Sequence, residues 1–192
     1  MTHGERDGKI HASDETFLVH DLYFPFIGHN CESLIGKPKL FFVQACRGDM
    51  VDPGAIFVPT TRARITKYTD AVDTASIPQS FVTPSLADVL IMYSTAEGYY
   101  SFRNQQDGSW FIQALCDELR DNTKEDLLTI LTGVNRRVAF AKQSFFPYDH
   151  DLDAMKQMPN LMIMLTKTFF FRKRIVDVRK NCLPGFNVCN IM

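Results

Sequence analysis

Three apolar runs in this chain are continuous rather than alternating: Leu40-Phe-Phe-Val43, Val89-Leu-Ile-Met92 and Leu161-Met-Ile-Met-Leu165. Each is short and bounded by turn-forming or polar residues, the pattern of a strand covered on both faces. The first predicts a strand over 39–45, following a Gly36-Lys37-Pro38 turn. The second predicts a strand from Asp88 to Ser94. The third, taken with Phe169-Phe170-Phe171, predicts a final strand. Elsewhere the apolar positions follow a helical period. After Asp107-Gly108-Ser109, residues Ile112, Leu115, Cys116 and Leu119 fall on one helical face. Thr123-Lys-Glu-Asp126 offers an N-cap for a second helix, whose buried stripe is Leu127, Leu131, Val134 and Val138. A short helix is expected over 18–24, ended by Pro25 and Gly28. Strands alternating with helices predict an α/β fold with a mainly parallel sheet.

From Asp49 to Pro84 the pattern disappears. Pro, Thr, Ser and Asp accumulate, and a stretch this long without periodicity reads as a linker. No internal repeat interrupts the rest, and 192 residues suffice for one sizeable core. A net charge of −1 excludes the basic footprint that nucleic acid or an anionic membrane would require. No apolar run is long enough to span a bilayer. The polar start, Met-Thr-His-Gly-Glu-Arg-Asp, does not read as a secretory signal.

Five cysteines, Cys31, Cys46, Cys116, Cys182 and Cys189, form an odd set with no Cys-x-x-Cys pair. That argues against a disulfide framework and for a reducing, cytoplasmic setting. The histidines stand singly with no metal-ligand spacing, so neither a metal nor a cofactor is expected. His11, His20, His29 and His150 are expected at the surface.

Chemistry concentrates at Gln44-Ala-Cys46-Arg-Gly48. A buried strand that ends in a polar-flanked cysteine delivers a thiol to an exposed strand end. A thiol nucleophile needs a base, and a sequence-distant histidine can supply one. His3 is the candidate because Gly4 follows it, and glycine lets backbone approach a reacting atom closely. A histidine this near the first residue is also expected to fray.

The Gln-Ala-Cys-x-Gly motif with an upstream His-Gly resembles the caspase family. Tyr93-Ser-Thr-Ala-Glu-Gly-Tyr-Tyr-Ser-Phe-Arg-Asn104 and Asp107-Gly-Ser-Trp-Phe-Ile-Gln113 resemble its executioner type, as do Gly36-Lys-Pro-Lys-Leu40 and Met164-Leu-Thr-Lys167. The resemblance implies a three-layer caspase-like α/β fold and a cysteine endopeptidase that cuts after aspartate at Asp-x-x-Asp sites in apoptosis. It implies Cys46 as nucleophile, His3 as acid–base partner, and the N–H groups of Gly4 and Cys46 as oxyanion donors. Arg103 and Gln44 would bind the P1 carboxylate, and Ser101 would run antiparallel to the substrate. Tyr100 and Phe102 would line an apolar P2 pocket, with Phe102 standing where the family usually has Trp. Asn104, Trp110 and Phe146 would shape the P4 pocket.

The same resemblance divides the chain into the end of a large subunit (1–48), an inter-subunit linker (49–84), a small subunit (85–174) and an atypical tail (175–192). Asp70-Ala-Val-Asp73 in the linker reads as a processing site, with cleavage after Asp73. Partners implied are protein substrates, a second copy joined through the last strand, and an upstream activating caspase or inhibitor protein. The first strands of the family's sheet and a second pocket arginine are absent from the sequence, which leaves an exposed edge at the strand carrying Cys46. The alternative is a catalytically inactive homologue that binds and modulates full-length caspases.

Overall fold

The computed structural model describes residues 2–55, 83–104 and 106–171. Asp73, Cys182, Cys189 and the tail 175–192 lie outside the described residues. The elements in chain order are β1 (Lys9–His11), β2 (Thr16–Leu18), α1 (Val19–Tyr23), β3 (Lys39–Val43), β4 (Val89–Tyr93), β5 (Arg103–Asn104), β6 (Gly108–Ser109), α2 (Trp110–Asp121), α3 (Leu127–Ala141) and β7 (Asn160–Ile163).

The central sheet has the order β3-β4-β7. β3 runs parallel to β4, with Lys39 opposite Val89 and Val43 opposite Tyr93. β7 returns antiparallel, with Leu90 opposite Ile163 and Tyr93 opposite Asn160. The described sheet is therefore mixed, one ladder of each kind. β4 is the strand the continuous apolar pattern describes best: Val89, Leu90, Ile91 and Met92 are all fully buried. Burying such a side chain is worth roughly 1.5–3 kcal/mol. β3 is only half-buried from Leu40 to Val43, because among the described residues it is an edge of this sheet.

Successive β4 side chains point to opposite layers. Leu90 and Met92 pack with Phe111, Ala114 and Leu115 of α2 and Leu127, Leu131, Val134 and Val138 of α3. Val89 and Ile91 pack on the other face with Ile27, Tyr23, Phe41 and Val43. Three layers result, with the helical pair on one side and the α1 region on the other.

Two local expectations are corrected and one is made specific. The buried face of α2 is Phe111, Ala114, Leu115 and Glu118, one residue back from the expected stripe, and Cys116 is exposed. The slip arises because Phe111 takes the core position and Glu118 can be buried. Its carboxylate accepts from Asn122 Nδ2 at 2.6 Å and pairs with Arg137 Nε across the α2–α3 interface. Within the expected Thr123–Asp126 segment the N-cap of α3 is Asp126, whose Oδ1 accepts from the N–H groups of Leu128 and Thr129 at 2.9 and 3.2 Å. The Phe169–Phe171 run is not a strand. Phe169 accepts a 2.8 Å bond from Leu127 N–H and Phe170 bridges Asp126, so the run closes over the start of α3.

Asp88 ties the two ladders together. It holds a left-handed φ of 62°, accepts from Thr166 N–H at 3.0 Å and from Thr166 Oγ1 at 2.7 Å. The Thr166 hydroxyl, more than the cations of Lys39 and Lys167, holds the Asp88 carboxyl below its ordinary range. A lowered folded-state pKa stabilises above the unfolded value of about 3.9 and is lost as pH falls through the folded one. Asp88→Asn keeps the acceptor oxygen and removes the titration. The urea midpoint of the parent should therefore drop more steeply than that of Asp88→Asn between about pH 4.5 and 3. Parallel curves would refute this role of Asp88.

Candidate active site

The residues singled out in the sequence converge at the C-terminal end of β3, in an order set by backbone pairing. Residues 2–4 lie between the 44–46 segment and β1. Thr2 N–H donates to Gln44 C=O at 3.1 Å, His11 N–H donates to His3 C=O at 3.0 Å, and Gly4 bridges Ile10. A short hydrogen-bonded ribbon thus carries His3 to the strand end. Gly4 is required by space. A Cβ there would overlap the Cys46 carbonyl oxygen and come within 2.9 Å of Ala45 Cβ.

The nucleophile's backbone is fixed from the next strand. Ser94, fully buried, donates its hydroxyl to Ala45 C=O at 3.0 Å and accepts from Ala45 N–H at 3.3 Å. The loops beyond both strands are laced together. Arg47 and Met50 N–H groups donate to Tyr99 and Gly98 carbonyls at 3.0 and 2.9 Å, and Tyr100 N–H donates to Met50 C=O at 3.0 Å. Gly48 lies directly on the Gly98 backbone, at a φ of 155° and with no room for a side chain. The Arg47 guanidinium stacks on the Tyr93 ring at 4.0 Å and reaches Glu97 at 3.3 Å. Met50, which takes part in this lacing, lies on the linker side of the expected boundary at 48.

A cleft of about 400 Å³ opens over this floor, lined by Thr2, His3, Gln44, Cys46, Ser101, Arg103 and Ser109. The half-buried Cys46 Sγ accepts from Ser101 N–H at 3.4 Å and lies 3.8 Å from Ser101 C=O. No hydrogen bond joins it to the His3 ring among the described residues. The side chain of Gln44 is buried and doubly held: Nε2 donates to Ser101 Oγ at 2.8 Å, and Oε1 accepts from the Ser109 hydroxyl. Arg103 is exposed at the cleft and has no acidic partner among the described residues.

The outer candidates are less simply arranged. Phe102 is 8% exposed and stacks on Trp110 with ring centroids 5.0 Å apart, while Phe146 stands 6.4 Å away. Trp110 is buried in that stack, and Tyr100 is exposed. Asn104 turns its Oδ1 to the N–H groups of Gln106 and Asp107 at 2.7 and 3.3 Å, so its carbonyl oxygen shapes the β5–β6 turn.

Three residues of this site went unnoticed in the sequence. Ser109 was visible only as a helix start; its hydroxyl also accepts from Ile112 N–H at 3.3 Å as the α2 cap. Ser94 looked like the polar end of a strand. Gln157 carried no signal, yet it is 2% exposed and bonds both Phe102 N–H and Ser94 C=O. Among the described residues no cluster of His, Cys, Asp and Glu forms a metal site. No helix there is long and apolar enough to cross a membrane.

The described residues thus form an α/β domain, a mixed sheet between two layers with a cysteine at one strand end and a histidine-bearing ribbon against it. Residues 1–170 match the family model described as the caspase domain, and the chain belongs to the caspase family. It is 41% identical over 175 residues to caspase-1 of Spodoptera frugiperda, covering 91% of this chain and 54% of the relative. It is 42% identical over 172 residues to caspase drICE of Drosophila melanogaster, covering 89% and 48%, respectively. Caspase-7 of Gallus gallus is 42% identical over 174 residues, covering 89% and 53%. The crystal structure of the Spodoptera frugiperda caspase-1 superposes with a TM-score of 0.76 at 39% identity, over 91% of this chain and 62% of that one. The chain spans about half the length of the curated relatives it matches.

Gly4 gives this geometry a direct check. Gly4→Ala must push the His3 ribbon off Cys46, an overpacking change that costs on the order of 1–3 kcal/mol. The expected result is a lower urea midpoint together with faster hydrogen exchange at residues 2–5 and 44–46. Unchanged exchange would show that the ribbon does not rest on Cys46.

Proposed function

We propose that this chain carries the site of a cysteine endopeptidase that cuts after aspartate, preferring Asp-x-x-Asp sequences, and that acts in the cytoplasm during apoptosis. The observation that carries the reading is the single cleft shared by Cys46, His3, Gln44, Ser101 and Arg103. It brings a thiol, an imidazole, and a cationic fork beside a fixed amide into reach of one peptide.

In this reading the Cys46 thiolate attacks the scissile carbonyl carbon, and the C=O electron pair moves onto oxygen. The N–H groups of Gly4 and Cys46 hold that oxyanion; one such donor is worth roughly 3 kcal/mol of barrier. His3 gives its proton to the leaving amine as the C–N bond breaks, which leaves an acyl-enzyme. It then takes a proton from water, which attacks the thioester and releases Cys46. Arg103 pairs with the P1 carboxylate through its planar fork, and Gln44 Nε2 has a second N–H to offer the same group. Ser101 must first leave the thiol, so substrate enters as an added strand along residues 101–103. Tyr100 and Phe102 meet P2. Trp110 and Phe146 bound P4 through the Phe102 stack, with Asn104 holding the adjoining turn.

Two further parts belong to the reading. Cleavage after Asp73 converts a single-chain precursor into two fragments. Pairing of two copies occurs through β7, whose Met162 and Ile163 are 37% and 45% exposed.

The deciding experiment is a P1 scan with peptide reporters on the parent, Cys46→Ala and Arg103→Lys. We expect turnover only with Asp at P1 and none for Cys46→Ala. Arg103→Lys should lose at least about tenfold in kcat/KM, because an ammonium cannot reproduce the bidentate fork. Preference for Arg or Lys at P1, or turnover by Cys46→Ala close to the parent's, overturns the reading. Contact of Ser101 with the thiol favours one other reading, a non-catalytic homologue that binds full-length caspases. An inert parent that slows a full-length effector caspase in the same assay would establish it.

Mass spectrometry of the purified protein checks the processing. Fragments should end at Asp73 and begin at Thr74; ends only at Asp52 or Asp88 would reject the assignment.

A further inference from the structure

The side chain of Gln157 is one of the most deeply buried polar groups described, at 2% exposure, and lies on the chain between α3 and β7. Its amide has one acceptor and one donor end, and both are used. Oε1 accepts from Phe102 N–H at 2.6 Å, and Nε2 donates to Ser94 C=O at 2.7 Å. Phe102 lies between Ser101 and Arg103, the two residues that face the cleft. Ser94 holds Ala45, the residue before Cys46, by its hydroxyl. One amide side chain therefore joins the segment that flanks the cleft to the residue that fixes the nucleophile's backbone.

We propose that Gln157 is a positioning residue, which sets the distance between the substrate-binding segment 101–103 and Cys46 without touching substrate. The proposal rests on the peptidase reading given above. Its physical basis is alternation along an extended segment: the Phe102 N–H points inward to Gln157, so the backbone of Ser101 and Arg103 is left facing the cleft. Ser101 and Arg103 have ties of their own, to Gln44 at 2.8 Å and to Ser109 in the β5–β6 pair, but at Phe102 the other backbone tie is longer. The bond from Trp110 N–H to Phe102 C=O is 3.4 Å long, against 2.6 Å for the bond to Gln157. Without Gln157 the middle of the segment loses its tightest backbone tie, and the cost of fixing it there falls on binding. The effect belongs to KM more than to kcat.

Glutamate at this position makes the claim testable by pH. An ionised carboxylate can accept from Phe102 N–H, but it cannot donate to Ser94 C=O and faces that oxygen as a like partner. A protonated carboxyl can do both, and burial raises its pKa towards the accessible range. Full-length parent, Gln157→Glu and Gln157→Leu are compared with an Asp-x-x-Asp peptide reporter. Hydrogen exchange of residues 99–104 and 89–93 is followed alongside, each value taken as a ratio to the parent at the same pH.

At pH about 7.5, Gln157→Glu should raise KM about tenfold with kcat within about twofold, and should speed exchange at 99–104 but not at 89–93. Both ratios should return towards one as pH is lowered to about 5.5. Gln157→Leu should show the same defect at every pH. An active parent with an unmoved KM in Gln157→Glu overturns the proposal. So does a defect that ignores pH, or exchange that rises equally at 89–93, either of which marks a merely structural role. A parent that turns over no Asp-containing reporter overturns the peptidase reading instead, and the positioning role falls with it.

Discussion

The site depends on the complete burial of β4. A strand with no exposed side chain from Val89 to Met92 has one stable register between its neighbours, because a slip of one residue would exchange the contents of the two layers. Leu90 and Met92 would leave the α2–α3 face, and Val89 and Ile91 would leave the α1 side. That register places Ser94 just past the end of β4, where its hydroxyl reaches Ala45, and aligns the loops that carry Cys46 and Ser101. The two hydrogen bonds between Ser94 and Ala45 are satisfied away from water. Leaving either backbone group unpaired there would cost about 1–3 kcal/mol, comparable with one core side chain. Packing and polar satisfaction therefore select the same arrangement.

The charge layout of the cleft follows a different logic. Arg103 remains solvated, so its cation costs little to hold in place without a protein partner. Gln44 is buried, and a neutral amide can be buried cheaply only when both of its ends are bonded. The hydroxyls of Ser101 and Ser109 do this, and Ser109 also caps α2. The amide is thus oriented by the same residue that starts the helix, which links cleft polarity to helix placement.

Much of this was legible in the sequence where one residue type answers one physical demand. The continuous apolar run at 89–92 could only be a two-faced strand, and the stripe Leu127, Leu131, Val134, Val138 is buried as its spacing requires. Gly4 beside His3 read as a close approach, and the backbone of Cys46 occupies that space. What escaped depended on partners distant in the chain. The face of α2 was misplaced by one residue because a glutamate on a buried stripe looks wrong until Arg137 reaches it from α3. The final aromatic run looked like a strand because three consecutive phenylalanines carry no period; their role is set by the backbone at the start of α3, which they bond. Gln157 was invisible for the same reason. A lone glutamine before a Met-Pro pair says nothing until two carbonyl- and amide-bearing segments close around it.

The backbone lacing between Arg47, Met50 and residues 98–100 has a consequence for the covalent chain itself. Gly48 and Gly98 meet with no side chain between them, and β3 and β4 are paired along their whole length, so the parts before residue 56 and after residue 82 are interlocked surfaces. A break anywhere between those positions would make a two-chain molecule held without any covalent link. Its unfolding would become a dissociation, so its midpoint would climb with protein concentration where that of the intact chain stays constant. Dilution alone would then distinguish the cut form from the uncut one.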